Sequence, residues 1–153
     1  GLAGYINLTE ISRCFASGDV VAADKDAGGL IGYVGTNCTV DNCYARSSVS
    51  GLSYVGGFVG NIWENAVISQ CYVAGTVTGN ELMGGFLCGH SWAIISNCFY
   101  DSTTSGLSDT YNGSMPKTTA ELMNPDTYSS AWDRTIWEIV AGQYPTLKPQ
   151  PQP

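Results

Sequence analysis

Gly29-Leu30-Ile31-Gly32 encloses two apolar residues between glycines, and this short block decides the fold because it recurs along the chain. Blocks of the same kind begin at residues 1, 57 and 85, so the interval is always 28 residues: they read GLAG, GFVG and GFLC. A fixed period of about 20–50 residues is the signature of a repeat architecture. The chain is therefore predicted to consist of stacked, similar units.

A second block follows each of these at ten or eleven residues and pairs a cysteine with an aromatic residue: Cys14-Phe15, Cys43-Tyr44, Cys71-Tyr72 and Cys98-Phe99. Two positions beyond the first three cysteines stands Ala or Val, and six positions beyond stands Val. Strand side chains alternate between two faces. The cysteine, the small residue and the valine are thus predicted to point inward, and the aromatic residue outward.

Two other columns predict where each unit bends. A polar residue or arginine precedes each cysteine, namely Arg13, Asn42, Gln70 and Asn97, and such a residue suits a corner. The pairs Gly28-Gly29, Gly56-Gly57 and Gly84-Gly85 predict a tight bend or a close approach to a neighbouring unit, since glycine has no Cβ.

The predicted fold is all-β, a parallel β-helix or β-solenoid of about four 28-residue coils with a C-terminal cap containing short helices. One coil cannot bury its own inward face, so the core forms only when coils stack. Leucine-rich repeats can have the same length, but their strand motif and a recurring helix are absent from the sequence.

The repeat register ends after Cys98. Thr118 and Glu121 match a capping box, and Asn124-Pro125 offers a second helix start, so two short helices are predicted. The bulky residues from Trp132 to Val140 are predicted to shield the end of the core. The predicted division is repeats at 1–98, a cap at 99–147 and a Pro-rich linker at 148–153, all within a larger protein.

Composition excludes several function classes. Six basic residues against thirteen acidic ones give a net charge of −7, with no basic stripe to attract nucleic acid. Charged residues make up 12% of the chain, about half of the usual share. The longest apolar run is far too short to span a membrane. Any export signal is expected to lie outside this sequence.

The repeated Gly-Leu/Phe-x-Gly blocks with the following Cys-aromatic pairs resemble the GLUG repeat of bacterial surface proteins. The run from Trp132 to Ile139 and the following Gly142 to Leu147 resemble the segment that often closes such arrays. This resemblance implies a secreted or wall-attached location, in proteins that include adhesin-like arrays and IgA-specific metallopeptidases. It also implies a structural, non-catalytic part of such proteins.

Residues with reactive side chains give weak signals. The cysteines in the column are interpreted as buried, reduced residues, with pairing along the column as the alternative. A single histidine, His90, and the absence of a zinc spacing argue against a metal site. Asp24 and Asp26 form a solvated loop or, as the weaker alternative, touch a calcium ion. We therefore predict no catalytic residue, metal or cofactor.

The aromatic residues carry the only binding hypothesis. Tyr44 and Tyr72 belong to the predicted outward ladder, and Trp63 and Trp92 lie in corresponding loops of adjacent coils. Aromatic ladders often stabilise sheets, so packing is the first interpretation and ligand contact the alternative. The predicted function is a spacer or adhesion module of a secreted or wall-attached bacterial protein, in contact with a host or cell-surface glycan or protein. The alternative is a carbohydrate-binding module attached to a secreted glycan-degrading enzyme.

Overall fold

The structure is a computed structural model and describes residues 1–88 and 92–150, with the side chain of Asn112 also left aside. The first coil contains five short strands joined by tight corners: β1 (Ala3–Ile6), β2 (Glu10–Ser12), β3 (Phe15–Ser17), β4 (Val20–Val21) and β5 (Lys25–Gly28).

The second and third coils repeat this order. Their strands are β6 (Ile31–Val34), β7 (Thr39–Asp41), β8 (Tyr44–Arg46), β9 (Val49–Gly51), β10 (Ser53–Gly56), β11 (Val59–Ile62), β12 (Glu64–Ser69), β13 (Tyr72–Val73), β14 (Val77–Gly79) and β15 (Met83–Gly84). A fourth turn contributes β16 (Trp92–Ser96) and β17 (Phe99–Asp101).

The β-solenoid is confirmed, but with about three complete turns rather than four. The fourth turn stops short because Asp101 starts a helix where the earlier coils continue to a return strand. The Asp101 side chain accepts hydrogen bonds from the amides of Thr103 and Thr104, which caps α1 (Ser102–Ser105). The chain then leaves the coil path.

Equivalent strands pair in parallel and form five columns around the coil. The partners lie one period apart, as in Ala3 with Ile31 and Ile31 with Val59. In the Cys-aromatic column the partners Phe15, Tyr44, Tyr72 and Phe99 face one another in register. The 28-residue period therefore corresponds to one rung.

The corners confirm the predicted turn columns. Arg13, Asn42, Gln70 and Asn97 have φ values of 53°, 50°, 48° and 51°, so each rung turns through a left-handed residue at the same place. At the Gly-Gly pairs the neighbouring rung comes very close. A Cβ atom on Gly57 would lie 2.2 Å from the carbonyl oxygen of Gly85.

The core confirms the inward column. Cys43, Cys71 and Cys98 are fully buried. They belong to one cluster with Ala45 and Val73 and with the stacked pair Phe58 and Phe86, whose ring centroids lie 4.6 Å apart. Val49 and Val77 are buried in a separate small cluster with Val55.

The C-terminal part contains short elements. They are α1, a 3-10 turn (Tyr111–Gly113), β18 (Met115–Lys117), α2 (Thr119–Leu122), a second 3-10 turn (Pro125–Thr127), β19 (Trp137–Glu138) and β20 (Thr146–Leu147). The capping box at Thr118 and Glu121 is present, and Asn124 caps the second turn. Both predicted starts are thus confirmed, although the second begins a 3-10 turn.

The predicted boundary between repeats and cap remains a prediction, and the ladder runs across it. Strand β18 pairs in parallel with β17, and β17 with β13. Strands β19 and β20 pair antiparallel with each other. Of the predicted linker the structure describes 148–150, where Arg13 donates a hydrogen bond to the side chain of Gln150.

The prediction that Trp132 to Val140 shield the end of the core is wrong. Trp132 and Trp137 pack against the outward aromatic column on one side of the stack. Tyr100 and Leu107 instead contact the coil core near its last turn. The Tyr100 hydroxyl donates a hydrogen bond of 2.8 Å to the carbonyl oxygen of Asp109. At the side of the stack these bulky residues bury the apolar rings of the ladder.

Candidate functional site

The outward aromatic column forms a stacked ladder on one face of the coil. The ring centroids of Phe15 and Tyr44 lie 5.0 Å apart and those of Tyr44 and Tyr72 lie 5.2 Å apart, with nearly parallel planes. Tyr44, Tyr72 and Phe99 belong to a cluster separate from the coil core, as expected for side chains that alternate with the inward cysteines.

The cap covers most of this ladder. Tyr72 has 0% of its surface exposed, and Tyr44 and Phe99 are also buried, whereas Phe15 on the first coil is 57% exposed. The covering residues are Leu122, Tyr128, Trp132 and Trp137. The structure therefore places Tyr44 and Tyr72, two of the four predicted contact residues, where a ligand has no access to their rings.

Arg46 connects the ladder to the C-terminal segment around Tyr144 and Pro145. Its guanidinium carbon lies 5.1 Å from the ring centroid of Tyr44 and 5.4 Å from that of Tyr144. It donates hydrogen bonds to the Tyr72 hydroxyl at 3.0 Å and to the carbonyl oxygens of Tyr144 and Pro145 at 3.2 and 2.9 Å. The planar guanidinium contacts aromatic rings and carbonyl groups at the same time, and it therefore holds the C-terminal segment against the ladder.

A second set of contacts between the cap and the coils surrounds Asp101, which is almost completely buried. Besides capping α1, its carboxylate accepts hydrogen bonds from the hydroxyls of Thr119, at 2.7 Å, and Tyr144. Burial, and then this hydrogen bond to Asp101, raise the pKa of Tyr144 to about 12. Burial also raises the pKa of Tyr72, while the charge of Arg46 opposes that change. These groups fix the cap to the coils.

The six cysteines are unpaired. In the column, each thiol donates to the carbonyl oxygen two residues before it, at 3.2 Å for Cys43, 3.1 Å for Cys71 and 3.3 Å for Cys98. Burial raises the pKa of Cys71 well above its ordinary value. The arrangement agrees with the interpretation of buried, reduced cysteines.

Ionisable groups form no metal centre in the described parts of the chain, where no group of three or more His, Cys, Asp or Glu side chains is positioned to hold an ion. The Asp26 carboxylate accepts a hydrogen bond from the Asn61 amide at 3.1 Å. His90 lies outside the described residues. No helix among the residues described is long and apolar enough to cross a membrane.

The two predicted tryptophans stay on the surface, but they do not share one site. Trp63, which is 62% exposed, follows β11 and donates its amide to the Val34 carbonyl of the preceding rung. It lines an open groove together with Tyr5 and Tyr33. Trp92, which is 83% exposed, begins β16 opposite Glu64 and is not part of that groove.

Sequence reasoning missed Tyr5 and Tyr33. A signal was present, because the two residues lie one period apart and therefore share a column, with Asn61 as the third member. Their rings stack with centroids 5.6 Å apart. A search for columns of similar residues does not find this column, because it combines two tyrosines with an asparagine.

Comparison with known proteins supports the repeat assignment. The model of the GLUG motif matches residues 25–50 and 51–78, so the chain contains GLUG repeats. A crystal structure described as a "putative immunoglobulin A1 protease from Bacteroides ovatus" has a similar fold, with a TM-score of 0.69 and 20% sequence identity. The similarity covers 95% of this chain and 62% of that one, and it concerns the fold alone. No curated protein matches the sequence.

Proposed function

We propose that this chain is a non-catalytic repeat module of a larger, secreted or wall-attached bacterial protein, in which it acts as a spacer or adhesion domain. The observation that carries the proposal is the ladder of in-register parallel strands, with the cap fastened along its side by Arg46 and Asp101. Such a stack holds its surface in a fixed shape and presents it to a partner.

The GLUG repeats and the fold shared with the crystal structure from Bacteroides ovatus support this context. The placement of the acidic residues supports a role outside catalysis. Asp41 pairs with serines on both sides, Ser12 and Ser69, and Glu64 lies opposite Trp92. Polysaccharide-cleaving sites need carboxylates that converge on one bond, and these rungs alternate acids with neutral residues.

Two measurements test the proposal. Display of the chain on a non-adherent bacterium is expected to increase attachment to mucin-coated and epithelial surfaces, relative to equal display of a Gly57→Asp variant that cannot stack its rungs. Equal attachment would reject the adhesion role. Incubation of the purified chain with immunoglobulin A1 is expected to leave the antibody intact, and cleavage would overturn the non-catalytic assignment.

A second function, carbohydrate binding beside a glycan-degrading enzyme, is supported by one specific observation. Trp63 keeps most of its ring exposed although the cap buries other aromatic residues nearby along the coils. Trp63 also lines one groove with the stacked rings of Tyr5 and Tyr33, and exposed apolar groups that cluster in this way are typical of a contact surface. Binding to a glycan array tests this function, and an array without a single bound glycan would reject it.

A further inference from the structure

We propose that the groove formed by Tyr5, Tyr33, Trp63, Asn7, Thr36 and Gly35 binds one neutral pyranose unit of a glycan. This proposal rests on the second function above, because it names the site and the class of sugar that such a module would recognise. It is independent of the spacer role.

The walls of the groove are aromatic. Tyr5 and Tyr33 stand on the outer face of β1 and β6 with stacked rings, and Tyr5 is 62% exposed. Trp63 contributes from the next rung. In that rung Asn61 takes the column position of the tyrosines, so the ring ladder ends after two members. The C–H faces of a pyranose ring are apolar and flat enough to pack against such rings.

The floor depends on Gly35. A Cβ atom at this position would lie 2.5 Å from Oδ1 of Asn7 and 3.0 Å from the carbonyl oxygen of Ile6. The absence of a side chain therefore allows Asn7 to approach the second rung. The groove has a volume of about 330 Å³, at the lower end of the range for small-molecule sites. This size suits a single sugar unit.

The edge of the groove is polar and organised. The Asn7 side-chain oxygen accepts hydrogen bonds from the backbone amide of Thr36 at 2.9 Å and from its hydroxyl at 3.2 Å. These contacts fix the Asn7 amide, and its NH₂ group has no acceptor within the described part of the chain. A fixed amide with free donors, beside tyrosine hydroxyls, matches the alternating donors and acceptors of sugar hydroxyls.

Charge favours a neutral sugar over a uronic or sialic acid. The six lining residues carry no charge. Burial, and then the negative charge of Asp26, raise the pKa of Tyr33, and the whole chain carries a net charge of −7. An anionic sugar would be repelled there, with no cation in the lining to compensate.

The test uses the complete 153-residue chain and four probes in saturation-transfer NMR. The neutral probes are methyl α-mannoside, methyl β-galactoside and methyl β-N-acetylglucosaminide, and the anionic probe is methyl β-glucuronide. We expect saturation of ring C–H protons in at least one neutral probe and weaker transfer to the glucuronide. The dissociation constant should lie in the millimolar range, since the groove is shallow and open.

Matched variants locate the site. Trp63→Ala and Tyr5→Ala should each weaken binding by about tenfold, the loss expected for one stacked ring. Trp92→Ala removes a tryptophan that is even more exposed but lies outside the groove, and it should leave binding unchanged. All three positions are exposed, and unchanged melting temperatures would show that the variants are folded.

The outcomes separate the two levels of the proposal. Binding that survives Trp63→Ala and Tyr5→Ala, or that Trp92→Ala weakens as much, would overturn the groove while leaving carbohydrate binding in place. Preference for the glucuronide would overturn the neutral sugar class. No binding of any probe, together with a negative glycan array, would reject both the groove and the carbohydrate-binding function.

Discussion

The indole N–H of Trp137 donates a hydrogen bond of 2.9 Å to the side-chain oxygen of Asn42. Asn42 is the left-handed corner of the second coil, with φ of 50°, and Trp137 is a buried residue of the cap. One asparagine thus turns the rung and fastens the C-terminal segment to it. The corner and the cap are therefore energetically coupled, which single substitutions can measure.

Asn42→Gly should destabilise the protein by about 1–2 kcal/mol more than Asn97→Gly. Both variants keep a residue that tolerates the left-handed corner and both gain the same backbone freedom when unfolded. Only Asn42→Gly leaves the buried indole N–H of Trp137 without an acceptor, and it also removes the hydrogen bond that the Asn42 side chain donates to Asp41. Urea unfolding followed by fluorescence measures the difference, and equal losses would show that the hydrogen bond contributes nothing.

Gly57→Ala should cost about 3 kcal/mol or prevent folding, because the new Cβ would lie 2.2 Å from a backbone carbonyl of the next rung. The neighbouring rungs are pinned by their own ladder hydrogen bonds and have little room to separate. Gly4→Ala is the control, since a Cβ atom added there would meet no other atom within 4 Å. Circular dichroism during thermal unfolding measures the melting temperatures of both variants. Equal melting temperatures would contradict the close approach of Gly57 to the next rung.

Arg46→Lys should loosen the cap selectively. Lysine keeps the charge but loses the planar fork that reaches Tyr72, Tyr144 and Pro145 together, so a loss of about 2 kcal/mol is expected. Hydrogen exchange in β19 and β20 should accelerate more than exchange in the coil strands. Arg13→Lys alters an exposed contact with Gln150 and should change neither the stability nor the hydrogen exchange of these strands by a measurable amount.

The repeat and its inward column were predictable because each is repeated three or four times, so a weak local preference becomes a strong signal. The Arg13, Asn42, Gln70 and Asn97 corner was found in this way. Two further columns of left-handed residues were missed: Leu8, Asn37 and Asn65, and Asp26, Tyr54 and Leu82. Leucine and tyrosine rarely adopt positive φ, and the ladder imposes this conformation against local preference.

The location of the cap and the candidate groove depend on contacts between distant segments. Trp132 and Trp137 are recognisably apolar in sequence, but which apolar surface they cover depends on the path of the intervening chain. For the same reason Tyr44 and Tyr72 could not be identified as covered residues. The sequence predicts Trp63 as a loop residue that could contact a ligand, whereas its neighbours Tyr5 and Asn7 in the groove are found only from the fold.

Thiol reactivity should separate Cys14 from the rest of its column. Cys14 is half-buried at the first coil, and burial, followed by the nearby Cys43, raises its pKa. A smaller thiolate fraction makes it react more slowly at about pH 8 than an exposed thiol, and faster as the pH rises.

Cys43, Cys71 and Cys98 are buried and should react only after unfolding. Titration with a chromogenic disulfide in concentrated guanidinium chloride should count all six thiols. Fewer than six would indicate pairing along the column. Cys14→Ser should remove the earliest phase under native conditions, and an unchanged phase would assign it to another cysteine.

Stability should fall at alkaline pH partly through Tyr144. Its pKa is raised from 10.0 to about 12 in the folded protein, first by burial and then by the hydrogen bond to Asp101. The neutral phenol is therefore favoured by folding, and its contribution is complete below pH 10 and lost as the pH rises toward about 12. Because the ring is partly exposed, we expect a contribution of about 1 kcal/mol after solvent screening.

Tyr144→Phe keeps the ring that stacks on Tyr72, with centroids 6.1 Å apart, but removes the titrating hydroxyl. The variant should be less stable than the wild type near neutral pH, since Asp101 loses one donor, and the two should converge between about pH 10 and 12. Urea unfolding across this range measures the convergence. A constant gap between wild type and Tyr144→Phe would show that the bond to Asp101 does not couple ionisation to folding.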